Sequence, residues 1–166
     1  NVGPSSSFGL LINYAIKEKT ALGLSRLYMM LCDQDDIWTE KKLEVQMSEM
    51  LNAEQKSPDV PILVHSDLKV VDECKKVIAE SFVEYQGLEI KRNKFTNIVI
   101  SNLVTGCTAL FNEELAQIAL PIPDTAIMHD WWLALIGSAF GQLIHIDMAL
   151  VEYRQHKNNT IGAKEF

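Results

Sequence analysis

The chain has 166 residues, of which 48% are apolar and 22% charged, and its formal net charge is −7. These values are typical of one globular domain with a sizeable core, and the acidic balance excludes a general nucleic-acid binder, which needs a cationic surface. No apolar run is long enough to span a bilayer and no signal-peptide pattern is present, so we expect a cytoplasmic protein.

The cysteines give a further indication of the compartment. Cys32, Cys74 and Cys107 are odd in number, and no two of them form a CxxC motif. This usage predicts free thiols in a reducing compartment, and it makes a metal site built from these sulfurs unlikely to form.

The first half of the chain alternates helical and extended patterns. A helix is predicted over residues 8–19, capped by one of the serines at positions 5–7, and a buried strand over residues 27–32. A second helix is predicted over residues 40–54, with Thr39 as its N-cap. The side chains expected to face the core are Phe8, Leu11, Ile12 and Ala15 in the first helix and Leu43, Met47, Met50 and Leu51 in the second.

The second half of the sequence predicts strands separated by short helices. Strands are predicted over residues 62–66, 77–79, 109–111, 142–146 and 149–154, and helices over residues 113–120 and from about 128 to Gly141. Residues 81–102 are ambiguous and are compatible with short helices around Phe82 and Phe95. His65 and His145 lie in strand patterns and are expected to be structural.

An acidic stretch directly follows the first predicted strand. Asp33, Asp35 and Asp36 lie where an open α/β sheet binds ligands, outside the carboxyl end of a strand. Oxygen ligands suit a hard cation such as Mg²⁺ or Mn²⁺, which takes carboxylates together with substrate phosphates. The stretch predicts a divalent-cation site that receives a diphosphate. The alternative is a solvated turn, because Asp is common in turns and before helices.

Two later stretches carry polar groups of interest. Asp130 lies at the start of the predicted helix near residue 128, where the helix dipole favours a carboxylate, and a purely structural role there is the alternative. Trp131 and Trp132 beside it are expected to lie mostly in the core, with one of them free to stack on a sugar ring. The tail at residues 153–159 concentrates groups that contact phosphate oxygens, the alternative being a solvated basic tail.

In this order, five stretches together resemble the family 2 glycosyltransferases, in particular bacterial enzymes of the rhamnosyltransferase-like type. They are Asp33-Gln34-Asp35-Asp36-Ile37-Trp38, Ser66-Asp67, Thr105-Gly106-Cys107, His129-Asp130-Trp131-Trp132 and Tyr153-Arg154-Gln155-His156-Lys157-Asn158-Asn159. The resemblance implies the GT-A fold, an α/β fold with a mixed sheet flanked by helices. It implies one domain over residues 1–166, with a metal and diphosphate loop near 31–38, an acceptor side at 62–141 and a closing tail at 142–166.

The resemblance also implies roles for individual residues. Asp35 would be the direct metal ligand, Asp33 would lie near the ribose or the metal, and His156 would be a further metal or phosphate contact beside Arg154. Asp130 would be the catalytic base, although the family usually has Glu where this chain has His129. The residues implied for the acceptor side are Asp67, Thr105, Gly106 and Trp132.

The implied activity is metal-dependent transfer of a sugar, with inversion, from a nucleotide-sugar donor to a hydroxyl of a cell-surface polysaccharide or lipid-linked acceptor. Peripheral association with the inner face of the membrane and homo-oligomerisation through an exposed sheet edge would accompany it. The family's N-terminal nucleotide-binding unit has no counterpart in the sequence, so we expect a truncated domain with little activity alone. The rival hypotheses are a non-catalytic partner-binding remnant of the same fold and, less favoured, a metal-dependent phosphohydrolase.

Overall fold

The computed structural model describes residues 3–156. They form an α/β domain with a mixed sheet flanked by helices, which confirms the predicted fold class at this level. The helices are α1 (Gly3–Ala21), α2 (Lys42–Lys56), α3 (Phe82–Tyr85), α4 (Phe95–Ile98), α5 (Glu113–Ala119) and α6 (His129–Phe140). The strands are β1 (Tyr28–Met30), β2 (Ile37–Trp38), β3 (Ile62–Val71), β4 (Val77–Ala79), β5 (Ala109–Asn112) and β6 (Gln142–Arg154).

The strand order brings two chain segments to the same end of the sheet. The order is β1-β5-β3-β6-β2, with β4 added to β3, and β3 and β6 are parallel while the other pairs are antiparallel. Because β1 and β3 both run antiparallel to β5, the strands β1, β3 and β6 all point the same way. The loop at residues 31–36 and the segment after Arg154 therefore leave the sheet on the same side.

The central strand β3 is buried on both of its faces. Ile62 and Val64 belong to a core cluster with α2, whereas Leu63 faces the opposite cluster with α1, α5 and α6. Successive side chains on a strand point to opposite faces, so an unbroken apolar run is what a strand covered on both sides requires. The two helical layers thus follow from the composition of β3.

The turn between α6 and β6 depends on a glycine. The backbone of Gly141 lies so close to Pro61 that a Cβ atom there would stand 1.8 Å from the Pro61 carbonyl oxygen. The next residue, Gln142, donates its N–H to the same oxygen at 2.9 Å. This close approach starts β6 in register beside β3.

The first helix corrects two details of the sequence analysis. Among the described residues α1 already includes Gly3, so the serines lie within it, and Ser7 Oγ donates to the Gly3 carbonyl at 2.8 Å. The predicted serine cap is therefore wrong. Leu11 is exposed, and the side chains of α1 that pack on the core are Phe8, Ile12, Ala15 and Ile16.

The second helix corrects the prediction further. Thr39 is not the N-cap of α2, because the helix starts after Lys41 and Thr39 extends the strand pairing by donating its N–H to the Leu150 carbonyl at 3.1 Å. Leu43 and Leu51 are exposed rather than in the core. The buried side chains of α2 are Lys42, Gln46, Met50 and Ala53.

The strands also differ in extent from the prediction. The strand predicted over residues 27–32 is limited to Tyr28–Met30, and a short strand, Ile37–Trp38, separates the acidic loop from α2. The two strands predicted over 142–146 and 149–154 form one continuous strand with irregular register against β3. Within residues 3–156, the helices are too short or too polar to cross a bilayer.

Candidate functional site

A cavity of about 410 Å³ lies beside the acidic loop and α6, within the size range of small-molecule sites. Part of the predicted site lines it, namely Asp33, Asp35, Thr105, Gly106, Asp130 and His156. The other three predicted site residues, Asp67, Arg154 and Trp132, are not among its lining residues within the described part of the chain. The structure thus brings together groups from four separate stretches of sequence.

Asp130 is held at the start of α6 against a 3-10 turn that spans Gly106–Thr108. Its Oδ2 accepts the N–H of Gly106 at 3.0 Å, and its Oδ1 accepts the N–H of Trp131 at 2.6 Å. Burial raises the pKa of Asp130 to about 6, against the lowering effect of those two hydrogen bonds, and the negative charge of Asp33 adds to the rise. A carboxylate with this pKa is a competent proton acceptor near neutral pH.

Gly106 makes this arrangement possible. A Cβ atom at this position would lie 3.2 Å from His129 Nε2 and 3.6 Å from Asp130 Oδ2. A side chain would therefore push the 3-10 turn away from α6 and weaken the bond between Gly106 and Asp130. Because glycine has no Cβ atom, it permits this close approach of the backbone to α6.

His129 occupies the position where the resembling family usually has Glu. Its ring is buried and stacks on Phe8 of α1, with ring centroids 4.1 Å apart. Burial lowers the pKa of His129 to about 4, so the imidazole is neutral at pH 7. His129 therefore links α1 to α6 as an uncharged aromatic group and does not supply a carboxylate to the site.

The acidic loop is tied to the end of β6. His156 Nε2 lies 2.6 Å from Asp35 Oδ2, and both side chains are about three-quarters buried. The N–H of Arg154 also donates to Asp36 Oδ1 at 3.3 Å. Two of the predicted tail residues thus contact the loop, Arg154 through its backbone, whereas Lys157, Asn158 and Asn159 lie outside the described residues.

Asp33 and Asp36 form a second grouping in the loop. Together with Cys107 they place potential ligand atoms within 4.8 Å of one another. Asp36 Oδ2 is buried and has no nitrogen or oxygen partner among the described residues. Burial raises the pKa of all three groups, that of Cys107 well above its usual value, so this thiol stays protonated and is a poor metal ligand.

These groups fit a hard divalent cation. Carboxylates that are partly buried together carry raised pKa values, and the pKa of Asp33 is raised further by Asp35. A cation bound to their oxygens would remove both the repulsion and the unsatisfied acceptor on Asp36. The residues suited to hold it are either Asp33 with Asp35, a first grouping whose members both line the cavity, or Asp33 with Asp36 of the second grouping. Asp33 belongs to both groupings.

A buried polar ladder below the loop was missed in the sequence analysis. The side chain of Lys42 is fully buried, with its ammonium group 4.7 Å from the centre of the Trp38 ring and hydrogen-bonded to Gln46. Gln46 in turn donates to the carbonyl of Thr108 at 2.6 Å. Burial lowers the pKa of Lys42 to about 8, so the amine remains largely protonated at pH 7. The ladder connects α2 and the Trp38 ring of β2 to the 3-10 turn.

Asp67 has a different environment from the cavity carboxylates. It is buried in β3, and its Oδ1 accepts three backbone N–H groups, from Leu68 at 2.8 Å and from Phe82 and Val83 at 3.1 Å each. Its hydrogen bonds hold α3 against the sheet. α3 contributes Phe82 to the cavity wall, so Asp67 stabilises the site indirectly, through its hydrogen bonds to α3.

The two tryptophans of α6 are both anchored by their indole N–H groups. Trp131 donates to the Ile98 carbonyl at 2.6 Å, and Trp132 donates to the Ala119 carbonyl at 2.7 Å. Trp131 lines the cavity, whereas Trp132 packs among the core residues between α5 and α6. Of the pair, Trp131 is the one placed to contact a ligand.

Tyr153 also faces the cavity from the end of β6. Burial and the nearby charge of Asp36 raise the pKa of Tyr153 to about 12, so its hydroxyl remains protonated at neutral pH. In the sequence, Tyr153 stands out only as a member of the polar tail at residues 153–159.

No protein-family model matches this chain, and no curated protein matches it.

Proposed function

We propose that this chain is part of a metal-dependent, inverting glycosyltransferase with a GT-A-like fold. The complete enzyme would transfer a sugar from a nucleotide-sugar donor to a hydroxyl of a polysaccharide or lipid-linked acceptor. The observation that carries the proposal is the meeting of Asp33, Asp35 and Asp130 in one cavity. Their order in the sequence resembles family 2 glycosyltransferases, and their chemistry suits a cation and a base.

The donor side of the cavity is assigned to the acidic loop. Asp33, with Asp35 or Asp36, would hold Mg²⁺ or Mn²⁺ through carboxylate oxygens. Such an ion would supply positive charge against the negative charge that develops on the leaving nucleoside diphosphate. His156 and Tyr153 line the cavity beside this loop, and the resemblance assigns His156 to a metal or phosphate contact.

Asp130 is assigned as the catalytic base. The acceptor hydroxyl oxygen forms a bond to the anomeric carbon of the donor sugar while Asp130 takes the hydroxyl proton. The bond between that carbon and the diphosphate oxygen breaks, and its electron pair leaves with the diphosphate. The N–H of Gly106 orients the Asp130 carboxylate, because it holds Oδ2 at 3.0 Å. Inversion follows if attack and departure occur on opposite faces of the sugar.

The first test is calorimetric titration of nucleoside diphosphates into the chain in the presence and absence of Mn²⁺. We expect metal-dependent binding that Asp33→Asn abolishes, because Asp33 belongs to both possible ligand groupings. The matched control is Asp147→Asn, which removes an exposed carboxylate on β6 outside the cavity. Equal binding by Asp33→Asn and wild type would refute the diphosphate site.

The same titration separates the two ligand groupings. Asp35→Asn should weaken metal-dependent binding more than Asp36→Asn if the resemblance assigns the ligands correctly. The reverse order would favour Asp36, whose Oδ2 lacks a nitrogen or oxygen partner among the described residues. Either result would define the ligands, whereas wild-type binding by both variants would argue against a loop-bound cation.

The products of a turnover assay separate the rival activities. Release of nucleoside diphosphate together with a glycosylated acceptor supports the transferase. Release of sugar phosphate or nucleoside monophosphate would identify a phosphohydrolase. Absence of any turnover of nucleotide sugars by the longest natural form of the protein would favour the non-catalytic partner-binding alternative.

A further inference from the structure

A short exposed segment on the helical side of the sheet combines positive charge with apolar side chains. Residues 91–100, here called the basic-apolar segment, contain three exposed cations, Lys91, Arg92 and Lys94. They are followed by Phe95, Val99 and Ile100, whose exposed fractions are 46%, 51% and 80%. Large apolar side chains exposed this far beside several cations are typical of interfacial binding surfaces.

The charge of this segment is opposite to that of the chain. The protein carries a net charge of −7, yet no Asp or Glu occurs between Ile90 and Asn112. Glu89, just before this stretch, forms a salt bridge with Arg92 at 2.8 Å, in which both side chains are largely exposed. The segment is therefore a local cationic surface on an acidic protein.

The apolar side chains of the segment are held in a fixed outward orientation. Ile98 is fully buried against α6, and its carbonyl accepts the Trp131 indole N–H at 2.6 Å. Phe95 and Val99 lie one helical turn apart, joined by a backbone hydrogen bond of 3.0 Å. Because Ile98 fixes one side of this helical turn to the core, the fold itself keeps Phe95 and Val99 exposed on the other side.

The segment leads directly into the wall of the cavity. Leu88 precedes it, Asn102, Leu103 and Val104 follow it, and all four residues line the cavity. Trp131, which anchors the segment through Ile98, lines the cavity as well. A surface bound by residues 91–100 would therefore lie close to the proposed acceptor side.

We infer that the basic-apolar segment docks the protein on an anionic lipid bilayer. Phe95, Val99 and Ile100 would enter the boundary between headgroups and acyl chains, while the cations contact acidic headgroups. A second copy in a two-fold contact would bring like charges together, and a nucleic-acid backbone offers no apolar layer to receive the exposed side chains of Phe95, Val99 and Ile100. The inference adds a membrane partner to the proposed function. It rests on that function only for the statement that a lipid-linked acceptor enters the cavity.

The test is flotation of the 166-residue chain with vesicles, in the absence of any nucleotide sugar. We expect binding to vesicles of phosphatidylcholine mixed with phosphatidylglycerol, weaker binding to phosphatidylcholine alone, and loss of binding as the salt concentration rises. Lys91→Glu combined with Lys94→Glu should lower the partition coefficient about thirtyfold or more. Phe95→Ser combined with Ile100→Ser should lower binding to both kinds of vesicle.

Matched controls make the same chemical changes elsewhere. Lys17→Glu with Lys41→Glu alters the net charge equally, and Leu10→Ser with Leu11→Ser removes two exposed leucines of α1. Both controls should keep wild-type vesicle binding. The inference is wrong if the control variants lose as much vesicle binding as the segment variants. It is also wrong if the unsubstituted chain binds no vesicles, or binds them without preferring the anionic ones. Thermal unfolding of every variant checks that these exposed substitutions leave the fold intact.

The vesicle-binding test and the diphosphate-binding test can succeed or fail independently. Vesicle binding with no metal-dependent diphosphate binding would leave the docking surface in place and refute the donor site. Diphosphate binding without vesicle binding would support the donor site and refute the docking surface. If the Phe95 and Ile100 substitutions instead convert a dimer to a monomer in analytical ultracentrifugation and leave vesicle binding unchanged, the segment is an interface between copies and the inference is wrong.

Discussion

Asp67 and Asp130 are two carboxylates predicted from the sequence to belong to one site, and their environments differ. Asp67 Oδ1 accepts three backbone N–H groups, two of them from α3, and Asp67 does not line the cavity. Asp130 accepts one N–H from outside its own helix, faces the cavity, and has a pKa of about 6. Both lie near the same end of the sheet, so position alone does not separate them.

The number of amide donors from other elements separates a structural carboxylate from a reactive one. Amide hydrogen bonds to a carboxylate stabilise its charged form and use up its lone pairs. Asp67 therefore holds local structure and has little capacity left on that oxygen for a ligand. Asp130 keeps a raised affinity for protons, which a base requires. The following predictions test this contrast between the two regions.

The largest expected effect is on catalysis by Asp130→Asn. An asparagine can still accept the Gly106 N–H but cannot take a proton from an acceptor, so turnover should fall by about 10²- to 10⁴-fold. Steady-state transfer with the longest active form of the protein is the measurement. Asp147→Asn is the matched control, and turnover of Asp130→Asn within a few-fold of wild type would remove Asp130 from the mechanism.

The second prediction concerns stability and Asp67. Asp67→Ala leaves three backbone N–H groups without their acceptor and should lower the free energy of unfolding by about 2–4 kcal/mol. Urea unfolding followed by circular dichroism is the measurement. Asp67→Asn retains a carbonyl oxygen and should cost less, about 1 kcal/mol. Equal stability of Asp67→Ala and wild type would show that the hydrogen bonds to α3 are not structural.

The third prediction concerns pH and stability. The pKa of Asp130 is raised from 3.8 to about 6 by burial, so between these values the folded chain binds more protons than the unfolded chain. Its contribution to stability is therefore present below about pH 4 and is lost as the pH rises through 6. Asp130→Asn should reduce the fall in unfolding free energy between about pH 4 and 7 by about 1–3 kcal/mol. Parallel pH curves for the two proteins would contradict the raised pKa.

The smallest effect is expected at the cap of α3. Ser81 Oγ accepts the N–H of Glu84 at 3.0 Å, next to the two amides that bind Asp67. Ser81→Ala should lower the unfolding free energy by about 1 kcal/mol. In the double variant with Asp67→Ala, the combined loss should be smaller than the sum, since both substitutions release the same turn. Strict additivity would mean that Ser81 and Asp67 act independently.

The fold class followed from the sequence because it depends on regular patterns. Alternating helical and extended segments indicated an α/β domain, and the resemblance implied a mixed sheet flanked by helices; the structure has this arrangement. Boundaries were less predictable where tertiary pairing decides them. Thr39 resembles an N-cap in sequence, but its N–H is used by β6, and only the folded sheet reveals that partner.

The candidate site was predictable only in part, for a related reason. Asp33, Asp35 and Asp130 stand out as acidic residues after a strand or at a helix start, and they line the cavity. Lys42 and Gln46 did not stand out, because a hydrophobic pattern assigns the core face of α2 to apolar residues. Their burial depends on Trp38 and the Thr108 carbonyl, which come from other parts of the chain.

The long parallel pairing of β3 with β6 has a consequence for how the protein folds. β3 is central in the sheet, yet its parallel neighbour is the last described strand, and register pairs such as Ile62 with Gln142 are far apart in sequence. During synthesis, one edge of β3 therefore stays unpaired until β6 has emerged. Such non-local pairing slows folding and leaves an open edge for aggregation in the meantime. Expression should accordingly benefit from lower temperature or from chaperones that bind exposed strand edges.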